Sequence, residues 1–206
     1  MTGFRRARAP DAACDNEPMP DPDRRDASSA DCVLTKRLVL SPIAHSDVEE
    51  LFEIFSDPAG WWYDPASRHT CRATTQSFIA RAAKRWAEHG LSYWTARARD
   101  GGGVLGVGGA QRHRSGAWNL SWRIATARWG RGLAGELGAA AIAAARARDP
   151  DVAMIAWIAP QNAASRRVAE RLGLLSQGLM IDANDGQARL AYSDRPLNFS
   201  TARPAR

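Results

Sequence analysis

From residue 37 onward, apolar positions follow either the two-residue period of a strand or the spacing of a helix face; before it, neither period is present. Arg37-Leu38-Val39-Leu40-Ser41 predicts a short strand. Ser46-Asp47-Val48-Glu49 then reads as a capping box opening a helix with Val48, Leu51, Phe52 and Phe55 along one face. Residues 57–72, with Trp61, Trp62, Tyr63 and His69 between prolines and a glycine, keep no period and predict an aromatic loop, either a hydrophobic plug or a lid facing a substrate. A second helix is expected from Thr74 to Glu88, with Ile79, Ala82, Ala83 and Trp86 inward and Gly90 as its stop.

Strands over 91–98, 104–110 and 117–124, separated by turns at Gly101-Gly102-Gly103 and Ser115-Gly116, make an antiparallel meander. An Ala-rich helix follows to about Arg148, with Leu133, Leu137, Ala140, Ala141 and Ala144 inward, and Asp149-Pro150 ends it. The apolar run 152–159 suits a strand covered on both faces. Asn162 caps a helix that reaches Leu172 and stops at Gly173, and strands near 174–181 and 188–193 close the pattern as a hairpin. A meander combined with helical crossovers predicts an α+β sheet with helices on both faces.

Composition narrows the classes. The chain has 206 residues, 45% of them hydrophobic and 24% charged, enough for one domain with its own core. Its longest apolar runs, 137–145 and 152–159, are well short of the ~20 residues of a membrane-spanning helix. Residues 1–31 have almost no large apolar side chain and read as a disordered tail, within which Met19 is a candidate start; no secretory signal is visible, so the cytoplasm is the expected compartment. Cys14, Cys32 and Cys71 form no closely spaced pair, and His45, His69, His89 and His113 are scattered, so no metal is expected. The net charge is +6. The first 31 residues hold five Arg against seven acids, so the folded remainder carries the excess, which suits a phosphate-rich ligand. The arginines are dispersed as on a solvated surface, which makes nucleic acid a weaker alternative.

The candidate chemistry centres on Trp129-Gly130-Arg131-Gly132-Leu133-Ala134-Gly135 between a strand and a helix. Glycines there let a ligand approach the backbone, and the free N–H groups and dipole of a helix start favour an anion. Gly130, Gly132 and Gly135 also spell a dinucleotide fingerprint. Against a Rossmann reading, Ala125 to Trp129 intervene after the strand, and Asp149 and Asp151 precede the next strand rather than ending it.

This loop, together with Ser121-Trp122-Arg123-Ile124-Ala125, the strand 152–159, the segment Asn162 to Gly173 and the opening Leu34 to Leu40, resembles the GNAT N-acetyltransferases, in particular the branch of ribosomal-protein N-terminal acetyltransferases. The resemblance spans about 34–197, giving a domain at 32–197 and a basic C-terminal tail at 198–206. It implies a mixed, mainly antiparallel sheet of about seven strands and acetyl-CoA as co-substrate. It also implies a pyrophosphate held by the amides of Trp129, Gly130, Arg131, Gly132, Leu133, Ala134 and Gly135, with Trp129 standing where the family has Gln or Arg. The main chain at Ile124, Ala125 and Thr126 would pair with pantetheine, and Asn162 would line the cofactor arm.

The family's usual tyrosine acid corresponds to Ala169, and the glutamate some members use as a water-mediated base corresponds to Asn119. Ser165, one turn after Asn162, remains as a polar group near the sulfur; a small residue that merely fits beneath the cofactor is the other reading. Without a strong base, an α-amine, neutral in part at neutral pH, is favoured over lysine as acceptor. His113, His69 and Asp64 are further bases that loops could supply. The expectation is an enzyme moving acetyl from acetyl-CoA to a protein N-terminus or small amine, as a monomer or homodimer without membrane contact. The alternative is a catalytically weak acyl-CoA-binding module.

Overall fold

A computed structural model describes residues 31–197, so the tails expected at 1–31 and 198–206 lie, apart from Asp31, outside the described residues. Eight strands form one sheet in the order β1-β2-β3-β4-β5-β6-β8-β7. They are β1 (Val33–Leu34), β2 (Leu38–Pro42), β3 (Tyr93–Ala98), β4 (Val104–Arg112), β5 (Trp118–Ile124), β6 (Met154–Ile158), β7 (Leu175–Ile181) and β8 (Ala188–Ser193). The expected meander is β3-β4-β5 and the expected hairpin is β7-β8, while the two-residue β1 was too short to leave a period in the sequence and brings the strands from about seven to eight. Among the described strands only β5 and β6 run parallel, and they pair at two positions, Trp118 with Met154 and Asn119 with Ile155. A sheet with one parallel pair excludes the doubly wound Rossmann alternative.

Four helices cover the sheet: α1 (Val48–Ser56) and α2 (Arg72–His89) on one face, α3 (Leu133–Arg148) and α4 (Ala163–Arg171) on the other. The α3–α4 side holds Leu38, Leu40, Trp94, Trp118, Leu137 and Met154, all almost wholly buried. Leu51, Ile54, Phe55, Trp61, Ile79 and Val107 fill the side under α1 and α2. A β-bulge shifts the β3–β4 register so that Ala96 faces Gly106 and Arg97 faces Val104, leaving Leu105 as the extra residue. Leu105 and Val107 consequently enter opposite cores despite their even spacing.

Several local expectations are corrected. The cap is not Ser46 with Glu49: Asp47 Oδ2 accepts from the Ala44 amide at 2.9 Å, so the reciprocal contact lies two residues earlier. Asp47 is buried, and it also takes Thr95 Oγ1 at 2.6 Å and Arg97 Nη2 at 2.9 Å, tying the start of α1 to β3. Ile54 rather than Phe52 completes the buried face of α1; Phe52 stays nearer the surface under the guanidinium of Arg72. In α2, Thr75 is buried and Ala83 is exposed, and the helix starts at Arg72, two residues earlier than expected. Leu91 and Ser92 are buried but precede β3.

Candidate acyl-transfer site

Because β5 and β6 pair only at their first residues, they diverge beyond Asn119 and Ile155. A cleft of about 300 Å³ opens there. The antiparallel ladder alternates, and two of its bonds fix the phase: Trp118 donates to Ala153 O on the β6 side, whereas Ala125 donates to Leu105 O on the β4 side, both at 2.9 Å. The amides of Trp122 and Ile124 therefore face away from β4, along the edge that β6 has left. A strand edge of this kind can receive an extended ligand. Of the three residues expected to offer main chain here, Ala125 has its N–H committed to Leu105, and Ile124 O accepts the Trp129 indole at 2.8 Å. Thr126 turns its hydroxyl to Asp57 Oδ2 at 2.6 Å, and its side of the chain borders a separate hollow beside α1.

The glycine loop follows directly. Gly130 and Gly132 both have positive φ, 75° and 74°, and Gly132 is the N-cap of α3 with no side chain satisfying the first-turn amides. Leu133, Ala134 and Gly135 thus present the start of a sixteen-residue helix, and Arg131 and Trp129 are exposed beside it. Glu136 sits in this first turn, where its charge would compete with an anion. It is neutralised locally: Arg37 donates from Nε to Oε2 and from its amide to Oε1, both at 2.7 Å, and Thr35 Oγ1 donates to Oε1 at 2.5 Å. Burial alone would raise the Glu136 carboxyl, but these hydrogen bonds and the Arg37 charge outweigh it and hold the carboxyl below its ordinary range. Arg37 Nη1 also donates to Arg131 O at 2.5 Å, so a residue of the β1–β2 turn braces the loop. The loop's free amides, its two left-handed glycines and its paired acid suit a pyrophosphate.

The cleft gathers Asn119, Asn162 and Ser165 from among the expected site residues. Asn162 uses Oδ1 to accept the Ser165 amide at 3.1 Å, the expected cap of α4, and Ser165 sits half-buried at the cleft wall. Asn119 Oδ1 is buried and accepts no hydrogen bond. Ala169 is fully buried in the core and offers no acid.

Of the loop bases, Asp64 borders the cleft and accepts Ser67 Oγ at 2.6 Å. His69 does not border it: the ring is stacked on Phe55 at 4.3 Å, with Nδ1 against Thr75 Oγ1 at 2.9 Å. His113 is buried too, its Nδ1 accepting the Ser115 amide and its Nε2 therefore donating to Asp182 Oδ1 at 3.1 Å. The 57–72 segment divides: Trp61 and His69 plug the α1–α2 core, while Tyr63, Asp64 and Ser67 border the cleft.

Burial, with Arg123 and Arg81 adding to it, pulls the His69 pKa down to about 4. The unfolded chain, near 6.5, then binds a proton the fold refuses, so stability is full above pH 6.5, declines as pH falls and levels off below about 4. Unfolding free energies from denaturant titrations between pH 7 and 4 should fall by at most about 3 kcal/mol from this group, and His69→Gln should flatten that part of the slope. An unchanged slope would mean that His69 takes up its proton without leaving the core.

Sequence reasoning missed Arg123, Asp182 and Arg189, which also border the cleft. The alternation Trp118-Asn119-Leu120-Ser121-Trp122-Arg123-Ile124 carried a usable signal, because its polar face had to point at solvent or at a site. Asp182, which accepts His113 and Arg189, lies beyond the end of β7 and left no such sign.

Residues 37–175 match the family described as Acetyltransferase (GNAT) domain. The chain belongs to the GNAT acetyltransferases. A protein from Bordetella pertussis described as a GnaT-family acetyltransferase is 26% identical, with a TM-score of 0.67 over 80% of this chain and 99% of that one. Two neighbours show the fold alone. The ribosomal-protein alpha-N-acetyltransferase RimL in complex with coenzyme A is 17% identical, with a TM-score of 0.63 over 78% of this chain and 95% of its own. An acetyltransferase from Salmonella typhimurium, described as modifying the N-terminal serine of a 50S ribosomal protein, is 16% identical, with a TM-score of 0.62 over 80% and 97%. Among the described residues, no helix of this GNAT domain is long and apolar enough to cross a membrane, and no cluster of His, Cys, Asp or Glu is placed to hold a metal ion.

Proposed function

We propose that this protein transfers an acetyl group from acetyl-CoA to a primary amine by direct attack in a ternary complex. The observation that carries the reading is the parting of β5 from β6 next to a braced, uncapped helix start: an open strand edge for the pantetheine arm and free amides for the pyrophosphate. Relatives of the same fold bound to coenzyme A, or to acetyl-CoA with AMP, support the co-substrate. In the reaction the neutral amine nitrogen attacks the thioester carbonyl, the C–S bond breaks, the amine nitrogen gives up a proton and the thiolate takes one. The Trp122 and Ile124 amides face the edge where the thioester oxygen needs a donor. Asn119 cannot act as a base, the paired His113 and stacked His69 stand outside the cleft, and Asp64 at its border is held by the Ser67 hydroxyl, which favours an acceptor that arrives largely neutral. An α-amine, of a protein N-terminus or a small molecule, meets that condition more readily than lysine.

Thiol release from acetyl-CoA across a panel of amines and short peptides tests the reading. Coenzyme A binding without turnover of any amine would instead establish the acyl-CoA-binding module, which the buried Ala169 and the neutral Asn119 favour. We assign Ser165 to the departing sulfur. Ser165→Ala should lower kcat and kcat/KM together by about tenfold, the loss of one hydrogen bond made in the transition state, with coenzyme A affinity retained. Full activity in that variant would leave solvent as the proton source.

A further inference from the structure

Arg123 is a cation of the cleft wall that makes no ion pair among the described residues. Its guanidinium lies 3.4 Å over the Trp61 ring and 5.6 Å from that of Phe55, donates from Nη1 to Gly60 O and from Nη2 to Tyr63 Oη, both at 2.9 Å, and makes no ion pair with any described carboxylate. The neighbouring acids are engaged elsewhere. Asp182 is held by Arg189 and His113, Asp64 takes the Ser67 hydroxyl, and Asp57 takes Thr126 and the Ala59 amide. Arg97, Arg112 and Arg189, also partly buried, each have a carboxylate partner, whereas Arg123 has none. Burial pulls the guanidinium below its ordinary value, with Tyr63 and Asp64 acting in the opposite direction.

Withdrawing a charge from water without a counter-ion is costly, and only two of the five N–H donors are committed. At the other end of the same strand face, four residues away, Asn119 Oδ1 is buried with nothing donating to it. One face of β5 therefore offers an unpaired cation and an unpaired carbonyl oxygen to the same cleft, separated by at most about 13 Å of strand.

We propose that the acceptor is a compact amine carrying its own carboxylate, seated with the carboxylate on Arg123 and an amine N–H on Asn119 Oδ1. Guanidinium and carboxylate match as two parallel charge-assisted hydrogen bonds, and the ligand supplies the counter-ion the fold omits. A cleft of about 300 Å³, shared with the acetyl end of the cofactor, admits a molecule of amino-acid size rather than a folded tail. This assignment rests on the transferase reading for its chemistry but not for its binding.

The test uses the full chain saturated with coenzyme A or acetyl-CoA and a series of α-, β-, γ- and δ-amino acids, each beside its carboxamide. Calorimetry reads binding, and thiol release reads turnover. At least one carboxylate should bind about tenfold or more tightly than its carboxamide and be turned over with the same preference. Arg123→Gln should bring that ratio close to one, mainly through KM, while Arg123→Lys, keeping the charge without the fork, should retain part of it. Melting curves of both variants establish that they fold. Equal binding of carboxylate and carboxamide by the wild type, no binding of any amino acid, or better turnover of peptides lacking a nearby carboxylate would each overturn the proposal. Selective binding without thiol release would sustain it while removing the transferase reading, and indiscriminate turnover would do the reverse.

Discussion

Gly132→Val should weaken coenzyme A binding by about 30-fold or more while shifting the melting temperature by only a few degrees. Space is not the obstacle, since a Cβ at this position would meet only Arg37 Nη2, at an ordinary 3.5 Å. The backbone is: φ is +74° at the N-cap of α3, a conformation that costs a β-branched residue about 1–3 kcal/mol. The loop relieves that strain by turning out of the left-handed region, which redirects the amides of residues 133–135 away from one another. Stability changes little because the loop is exposed, whereas a site built from backbone donors loses its geometry at once. Arg131→Ala should cost much less, its charge being exposed and screened. Unaltered affinity of the valine variant in a calorimetric titration would take the pyrophosphate away from this loop.

Gly108→Val should unfold the central sheet at markedly lower temperature. A Cβ there would stand 2.3 Å from Ser121 O and 2.8 Å from Leu137 Cδ2, and the first of these is main chain of the neighbouring strand. A leucine tip can rotate away, but a carbonyl oxygen in a ladder moves only if β4 and β5 separate. Overpacking of this kind costs about 3 kcal/mol, or about 6–12 °C in Tm for a chain of this size. Activity should fall with it, because the strand pushed aside carries Asn119, Ser121 and Arg123. A wild-type melting curve would show that the two strands can part without penalty.

The glycines of β4 show where reading from sequence succeeds and where it stops. Strand 104–110 was legible from its flanking turns and apolar ends, yet nothing in the string Gly106-Val107-Gly108-Gly109 reveals that the backbones of β3 and β5 approach closely on either side. The glycine loop and the Asn162 cap were legible because each is local, a few residues whose types match one helix start. Arg123 was not, because its meaning depends on Trp61 and Gly60, some sixty positions away, and on the absence of a carboxylate, which only three dimensions can show. The cap of α1 was displaced for a similar reason. Asp47 holds the N-cap position of α1 without a side-chain cap bond, because its carboxylate is drawn to the Ala44 amide and to Thr95 and Arg97 of β3.

The two-position ladder between β5 and β6 has a consequence for how the molecule opens. Among the described residues it is the only sheet contact joining the five strands from β1 to β5 with the three-stranded remainder, and it is reinforced locally by Arg112, which lies 4.3 Å over the Trp118 ring and pairs with Asp149 at 2.6 Å. Protection against amide exchange should therefore divide along this seam: β6, β7 and β8 exchanging together through a partial opening, while β3 to β5 wait for global unfolding. Coenzyme A bound as proposed, along the β5 edge, should bring the two exchange rates together.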